Sequence, residues 1–200
     1  MLVALKELSS LELAVTHVLY KPAKKRSIAM LLEPEELPAA RSWFPGKAFA
    51  WRVGAVGIAS EQGHRAWVSG AVNAGRIFLD TSSPRQLFVQ VVPFVSELDA
   101  ASAAPNLPLG MQVPLGTPGE WAVNSPELPG VAGALACERV FNGPNGLEKQ
   151  MVVVGSIGRI AFVTGFIRTH DSQTWDEVLQ IAARQADKIQ GYVKSEDLAQ

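Results

Sequence analysis

The sequence predicts an α+β fold in which helices flank an antiparallel β-sheet. Segments rich in β-branched and aromatic residues recur at short spacing, as they do in a series of adjacent strands. Two alanine-rich helical patterns, over residues 96–104 and 174–193, each follow such a segment directly. Helices do not alternate regularly with strands, which argues against the βαβ crossovers of a parallel sheet. The elements instead group into two similar strand-strand-helix halves.

The composition is that of a folded chain with a sizeable core. Of the 200 residues, 48% are hydrophobic, and 18 basic and 19 acidic residues give a formal net charge of −1. This balance provides no global attraction to nucleic acid or to acidic membranes. The single cysteine, Cys137, excludes an internal disulfide and the usual zinc sites, and it fits a reducing compartment. We therefore predict no cofactor, no metal and no nucleic-acid partner.

Residues 1–27 form an N-terminal segment that the pattern predicts to be helical or extended. Its leucines fall at helical spacing, although residues 11–15 also alternate as a strand would. Lys6, Glu7 and Glu12 interrupt the apolar stretch that a signal peptide requires, and no apolar run is long enough for a transmembrane segment. As written, the chain is predicted to be cytoplasmic; an envelope or secreted location follows if a leader was removed.

A basic cluster near the end of this segment contains Lys21, Lys24, Lys25 and Arg26 around Pro22. Nucleic-acid sites interleave basic and aromatic residues, and this cluster is short and has little aromatic company. It is predicted to be a solvated loop.

The main domain is predicted to span residues 28–192, and its first half begins with a proline-rich, irregular lead-in. The β-rich segment 86–95 is apolar on both faces, so this strand is expected to be buried on both sides. Residues 73–75, Asn-Ala-Gly, are typical of a hairpin turn. The other strands of this half are predicted over 48–58, 66–72 and 76–80.

The helix over 96–104 has Ser96 at its N-cap and Pro105 at its end. The Pro- and Gly-rich loop 105–121 that follows is predicted to act as a hinge between the halves.

The second half contains a strand that begins near Val140, a turn over 142–146, and a hairpin formed by 147–154 and 159–167. Its helix is predicted to start after Thr174, with a polar tail over 193–200. One apolar face of this helix is predicted to pack on the sheet; it comprises Trp175, Val178, Leu179, Ala182, Ala186, Ile189 and Val193.

The stretch Gly155-Ser156-Ile157-Gly158 lies between two apolar runs and has the spacing of a short catalytic motif. A nucleophile elbow needs a glycine two residues before the serine and a helix after it, but Val154 occupies that position and β-prone residues follow. A phosphate loop fails for a similar reason, because no lysine and no helix follow the glycines. A β-hairpin turn is the better interpretation.

A second enzymatic hypothesis pairs Cys137 with His170, with Asp171 or Asp176 orienting the imidazole ring. Cys137 is surrounded by apolar residues, however, which favours an ordinary buried thiol. We predict no catalytic residue.

The tryptophans are the best candidates for a binding surface. Trp51, Trp67 and Trp175 fall in predicted strands and a helix, so core packing is the simpler interpretation for them. Three aromatic residues lie in irregular, proline-rich loops, where aromatic side chains often contact a ligand or a partner. These predicted binding residues are Trp43, Phe44 and Trp121.

Several segments resemble bacterial secreted or lipid-anchored proteins with a PsbP-like fold, including mycobacterial sensor-type lipoproteins. The segments are LLEPEELPAARSW, VQVVPFVSELDAASAA, ELPGVAGALA and VVVGSIGRIAFVTGF with EVLQIAARQADKI, and they cover most of residues 30–190. The resemblance implies an α/β/α sandwich around an antiparallel sheet and a non-catalytic binding or assembly role. As written, the sequence departs from the family because it shows no leader with a lipid-modified cysteine and because Cys137 lies in mid-chain.

The leading hypothesis is a non-catalytic binding or accessory domain that recognises a protein partner or a small apolar ligand through its aromatic loops. One alternative is a hydrolase or transferase that uses Cys137 or Ser156. Another is a structural module that forms a homodimer through its two-sided apolar strand.

Overall fold

The computed structural model describes residues 22–38, 42–52, 58–59, 65–66, 72–107, 122–124, 128, 130–143, 146–169 and 173–197. Residues 1–21 of the predicted N-terminal segment, residues 67–71 of the predicted strand 66–72, and most of the hinge-like loop lie outside these ranges.

Helices and strands follow one another in the order that the α+β prediction requires. The helices are α1 (22–29), α2 (Glu97–Ala103) and α3 (Trp175–Asp197), and 3-10 turns occupy Pro34–Glu36 and Ala104–Asn106. The strands are β1 (Trp43–Pro45), β2 (Phe49–Arg52), β3 (Ile58–Ala59), β4 (Arg65–Ala66), β5 (Val72–Asp80), β6 (Gln86–Pro93), β7 (Ala122–Asn124), β8 (Leu135–Gly143), β9 (Gly146–Ile157) and β10 (Ile160–Thr169).

Eight of these strands form one sheet in which every described pair is antiparallel. Its order is β1-β5-β6-β10-β9-β8-β7, and β2 also pairs with β5. β1 pairs with the end of β5 and β2 with its beginning, so the two short strands together form one interrupted edge. β3 and β4 pair separately. This arrangement confirms the predicted fold class.

Helices cover both faces of the sheet. The face that packs on α3 carries Leu87, Val89 and Val91 from β6 and Phe162 and Phe166 from β10, which alternate along their strands as a pleated sheet requires. α3 contributes a continuous apolar row, and the chain around residues 30–37 closes the same core. The predicted helix face is confirmed, with Ile181 and Gln185 as further buried members.

The opposite face packs on α2. Val92 and Ala161 contact the helix through Ala100 and Ala103, and Leu107 covers the valines of β9 and β10. Ser96 caps α2 as predicted, because its hydroxyl oxygen accepts a hydrogen bond from the Asp99 amide at 3.1 Å.

Four local features differ from the sequence predictions. Residues 73–75 form no turn, since β5 continues through them; a Cβ at Gly75 would meet the Phe49 and Phe88 rings at 3.1 and 3.2 Å, so this glycine serves close packing within the strand. β8 begins at Leu135, before the predicted start near Val140. The sequence does not predict this start because Ala136 and Cys137 have little strand propensity of their own. Lys24, Lys25 and Arg26 of the basic cluster lie in α1, and α3 continues to Asp197.

The hairpin prediction for the Gly155–Gly158 stretch is confirmed. Ile157 pairs with Ile160, and Gly158, with φ at +53°, lies at the two-residue turn between them. Ser156 is a strand residue opposite Ala161.

Candidate binding surface

An apolar stripe lies at the β1/β2 edge of the sheet, on the face opposite α3. Phe44 pairs with Leu79 across β1 and β5, and both side chains are exposed, at 63% and 44%. Phe49 of β2 lies opposite Gly75 of β5 and is 40% exposed. We name these three side chains, Phe44, Leu79 and Phe49, the edge stripe.

The alternation of side chains along the strands places the edge stripe on one face. Phe78 belongs to the core beneath α3, so its neighbour Leu79 points to the opposite face. The Phe49 ring stacks on that of Phe88, with ring centroids 6.4 Å apart. From Gly75 to Leu79 the stripe follows β5 for about 13 Å, at about 3.3 Å per residue.

The chain between β1 and β2 is held tightly to β5. The Gly46 amide donates a hydrogen bond to the Ile77 carbonyl oxygen at 2.8 Å. A Cβ at this glycine would lie 2.7 Å from the same oxygen, so the approach requires glycine. Phe44 and Phe49 are therefore presented from a backbone that is fixed to the sheet on both sides of the break.

Trp43, predicted as a surface residue, lies in the core. Its side chain is 4% exposed and faces the Phe166 ring at 5.9 Å, and its indole N–H donates to the Pro38 carbonyl oxygen at 3.2 Å. The physical reason is the strand pleat, which sends adjacent residues to opposite faces, so that Trp43 is inside where Phe44 is outside. Trp121 lies outside the described residues, as does Trp67.

The guanidinium group of Arg85, together with the carboxylates that it pairs with, packs against the buried Trp43 ring; we name this cluster the Arg85 node. Arg85 lies 5.3 Å from the centroids of both the Trp43 and the Phe166 ring. Its Nη2 donates to Asp80 Oδ2 at 2.7 Å, and its Nη1 donates to Glu177 Oε2 at 2.9 Å. The turn after β5 is thereby joined to the first turn of α3.

Asp80 is the strongly perturbed carboxyl group of this node. Burial by itself raises its pKa, but hydrogen bonds from Ser82, Ser83 and Arg85 outweigh burial and hold the pKa well below its usual range. The side chain is therefore a fully ionised, fully bonded carboxylate, which suits structure better than proton transfer.

A buried polar cluster, which the sequence analysis missed, lies at one end of the same sheet face. Arg139 Nε donates to Gln150 Oε1 at 2.6 Å, and Gln150 Nε2 donates to the Ile167 carbonyl oxygen at 2.8 Å. Arg168 Nε donates to Glu148 Oε2 at 2.7 Å. Burial lowers the pKa of Arg139. The sequence signal for this cluster is the polar run Glu148-Lys149-Gln150, which directly precedes the apolar part of β9.

Cys137 and Ser156, the nucleophiles of the enzymatic alternative, form no catalytic group with other described residues. Cys137 is 3% exposed and packs against Val152, Val154 and Val163; burial raises the pKa of its thiol, which disfavours the reactive thiolate. His170 and Asp171 lie outside the described residues, as do the other two histidines. Within the described ranges, no cluster of His, Cys, Asp and Glu side chains has the grouping of a metal site.

The chain is similar in fold to the crystal structure of the extracellular domain of PknH from Mycobacterium tuberculosis. The TM-score is 0.54 at 17% sequence identity, and the similarity covers 84% of this chain and 96% of that one. At this identity the likeness concerns the fold alone. No protein-family model and no curated protein matches the sequence. None of the helices that the structure describes has the length and apolar character needed to cross a membrane.

Proposed function

We propose that this chain is a non-catalytic binding or accessory domain of the PsbP-like, sensor type, and that the edge stripe is its docking surface. The ligand is a protein partner or a small apolar molecule. Of the predicted binding residues, Phe44 lies on the described surface. Leu79 and Phe49 extend this surface along the sheet edge.

The observation that carries this proposal is the grouping of three large apolar side chains on one fixed edge. Single exposed apolar residues are ordinary, whereas several aligned on one face of a rigid backbone are typical of interaction sites. Phenylalanine contributes a large contact area with only two rotatable side-chain bonds, so little conformational entropy is lost when it is covered.

The buried thiol supports a binding role over the enzymatic alternative. Cys137 lies inside the sheet with a raised pKa, and Ser156 lies within a hairpin strand. Neither position has the geometry of an activated nucleophile.

The shared fold with an extracellular domain supports an envelope or secreted location for this chain. Fold similarity is an argument by analogy, so the compartment is proposed independently of the docking surface.

Photo-crosslinking in cells tests the docking surface. A photoreactive residue replaces Phe44 in one variant and Leu98 of α2 in another; the two positions are 63% and 66% exposed, which makes Leu98 a matched control. We expect a discrete adduct from position 44, identifiable by mass spectrometry, and none from position 98. The same adducts from both positions, or none from either, would contradict the proposal.

A further inference from the structure

The charged groups that surround the edge stripe are basic where they reach solvent. Lys47 is exposed and lies in the chain between Phe44 and Phe49. Arg168, 22% exposed, is level with Leu79 across Gln86 in the strand register.

The nearby carboxylates are buried and pair with arginines, so they compensate those arginines and not Lys47. The Asp80 side chain is 0% exposed and is paired with Arg85. The Glu148 side chain is 7% exposed and is paired with Arg168. Among the described residues, the rim of the stripe is therefore positive through Lys47 alone.

The backbone of β1, the part of this edge that carries Phe44, is poorly suited to adding another strand. Pro45 has no amide hydrogen, and the Gly46 amide is already bonded to Ile77. Natural sheets protect their edges with proline, lysine and interrupted strands in this way. A ligand of the stripe is consequently held by side-chain contacts on the face.

The size and charge of the stripe argue against a second copy of this chain. Taking about 200 Å² for each fully exposed large side chain, the exposed fractions correspond to about 300 Å², whereas a stable interface buries about 800 Å² per partner. A two-fold dimer centred on the stripe would also place one Lys47 near the other, and like charges across an interface are unfavourable.

A membrane surface fits less well because too few of the described basic side chains lie beside the stripe. Stable attachment to anionic lipid needs several basic residues near the apolar anchor, each contributing about 1 kcal/mol. Lys47 is the exposed basic side chain that the structure describes beside the stripe.

We propose that the occupant of the edge stripe is a segment of a different protein that presents apolar side chains next to a carboxylate. The apolar side chains cover Phe44, Leu79 and Phe49, and the carboxylate pairs with Lys47. This inference rests on the docking surface proposed above and names the chemistry of its partner.

Short synthetic peptides test this chemistry with the purified chain. Three peptides share the same leucine and phenylalanine residues and differ only in flanking glutamate, glutamine or lysine. Binding is measured by calorimetry up to about 1 mM peptide, a Kd range suited to a small interface. The variants are Lys47→Glu and Phe44→Ser, with Lys25→Glu and Leu98→Ser as matched controls at other exposed positions.

We expect the glutamate peptide to bind the native chain about fivefold more tightly than the glutamine peptide, as an exposed ion pair allows. Lys47→Glu reverses the preference toward the lysine peptide, Phe44→Ser weakens all three, and both controls leave binding unchanged. Failure of the glutamate peptide to bind overturns the inference.

Other outcomes separate this inference from the docking surface. If Phe44→Ser weakens binding but peptide charge has no effect, the surface stands and the acidic partner is wrong. If Phe44→Ser and Leu98→Ser behave alike, the docking surface fails as well. Phe44-dependent binding to phosphatidylglycerol vesicles, or Phe44-dependent self-association in sedimentation, overturns the inference in favour of a membrane or a second copy.

Discussion

Trp43 and Phe44 show how one step along a short strand separates the core from the surface. The indole of Trp43 is enclosed by Phe166 and Arg85 and bonded to Pro38, whereas Phe44 projects beside Leu79. Substitutions at these two neighbouring positions therefore compare the loss of a buried aromatic side chain with the loss of an exposed one.

Trp43→Ala is expected to lower the free energy of unfolding by about 3–5 kcal/mol, the usual cost of emptying a buried aromatic site. Phe44→Ala should change it by no more than about 0.5 kcal/mol, since the side chain makes few contacts to lose. Urea unfolding of both variants measures the difference. Equal losses would mean that Phe44 is packed in solution and is no docking residue.

Asp80 should make stability depend on pH in acid. Its folded pKa is below the unfolded value of about 3.9, so the stabilisation is complete at neutral pH and is lost as the pH falls below that value. Asp80→Asn removes the ion pair with Arg85 and should cost about 1–3 kcal/mol at neutral pH. In urea melts, the difference in unfolding free energy between native chain and variant should stay constant from about pH 6 to about pH 4 and narrow toward about pH 3. A difference in unfolding free energy that stays constant down to about pH 3 would contradict an ionised Asp80 paired with Arg85.

At the scale of elements, β10 carries a register shift after Phe166 where it pairs with both β6 and β9. Gly165 lies just before the shift, with φ at +155°, and a Cβ there would lie 2.2 Å from the Met151 carbonyl oxygen. The contacted atom belongs to the backbone of the central strand pair, so it cannot move aside without breaking the ladder.

Gly165→Ala is accordingly expected to destabilise the fold by more than about 3 kcal/mol or to prevent folding. Gly133→Ala is the matched control, because Gly133 also has a positive φ, +73°, yet nothing lies within 4 Å of its Cβ position. The control should lose only the backbone cost of about 1–2 kcal/mol. Thermal unfolding compares the two, and similar losses would show that close approach is not what requires glycine at 165.

The elements that sequence could predict are those whose signals are local. β6 and the β9–β10 hairpin have dense β-branched residues or a glycine turn, and α2 and α3 have caps and periodic apolar faces. The unbroken course of β5 through Gly75 depends instead on the rings of Phe49 and Phe88, and the start of β8 depends on its pairing with β9. Tertiary contacts decided these two boundaries, and no short window of sequence contains them.

At the scale of the whole molecule, the candidate site depends on how distant strands are aligned. Phe44 was identified because it lies in an irregular aromatic segment, but Leu79 joins it only through the register of β1 on β5. The same register buries Trp43 against β10. A binding surface on a sheet is thus a property of strand pairing, and sequence reasoning reached only the member that stood out by composition.

Cys137 reports on the integrity of the whole sheet, because it lies on β8 between β7 and β9. Its thiol packs against the valines of β9 and β10, and burial raises its pKa. A thiol reagent can reach it only when the sheet opens, so its reaction rate follows the free energy of opening.

We expect Cys137 to react with an aromatic disulfide reagent at least about a thousandfold more slowly in the native chain than in urea, given typical domain stabilities. Leu98→Cys supplies an exposed control thiol, since Leu98 is 66% exposed on α2; it should react at nearly the unfolded rate. Because the two thiols share one molecule, their rates compare local access directly. If native Cys137 reacted as fast as the control thiol, the interior of the sheet would be accessible to solvent. The thiol-dependent enzyme would then be the better account of this chain.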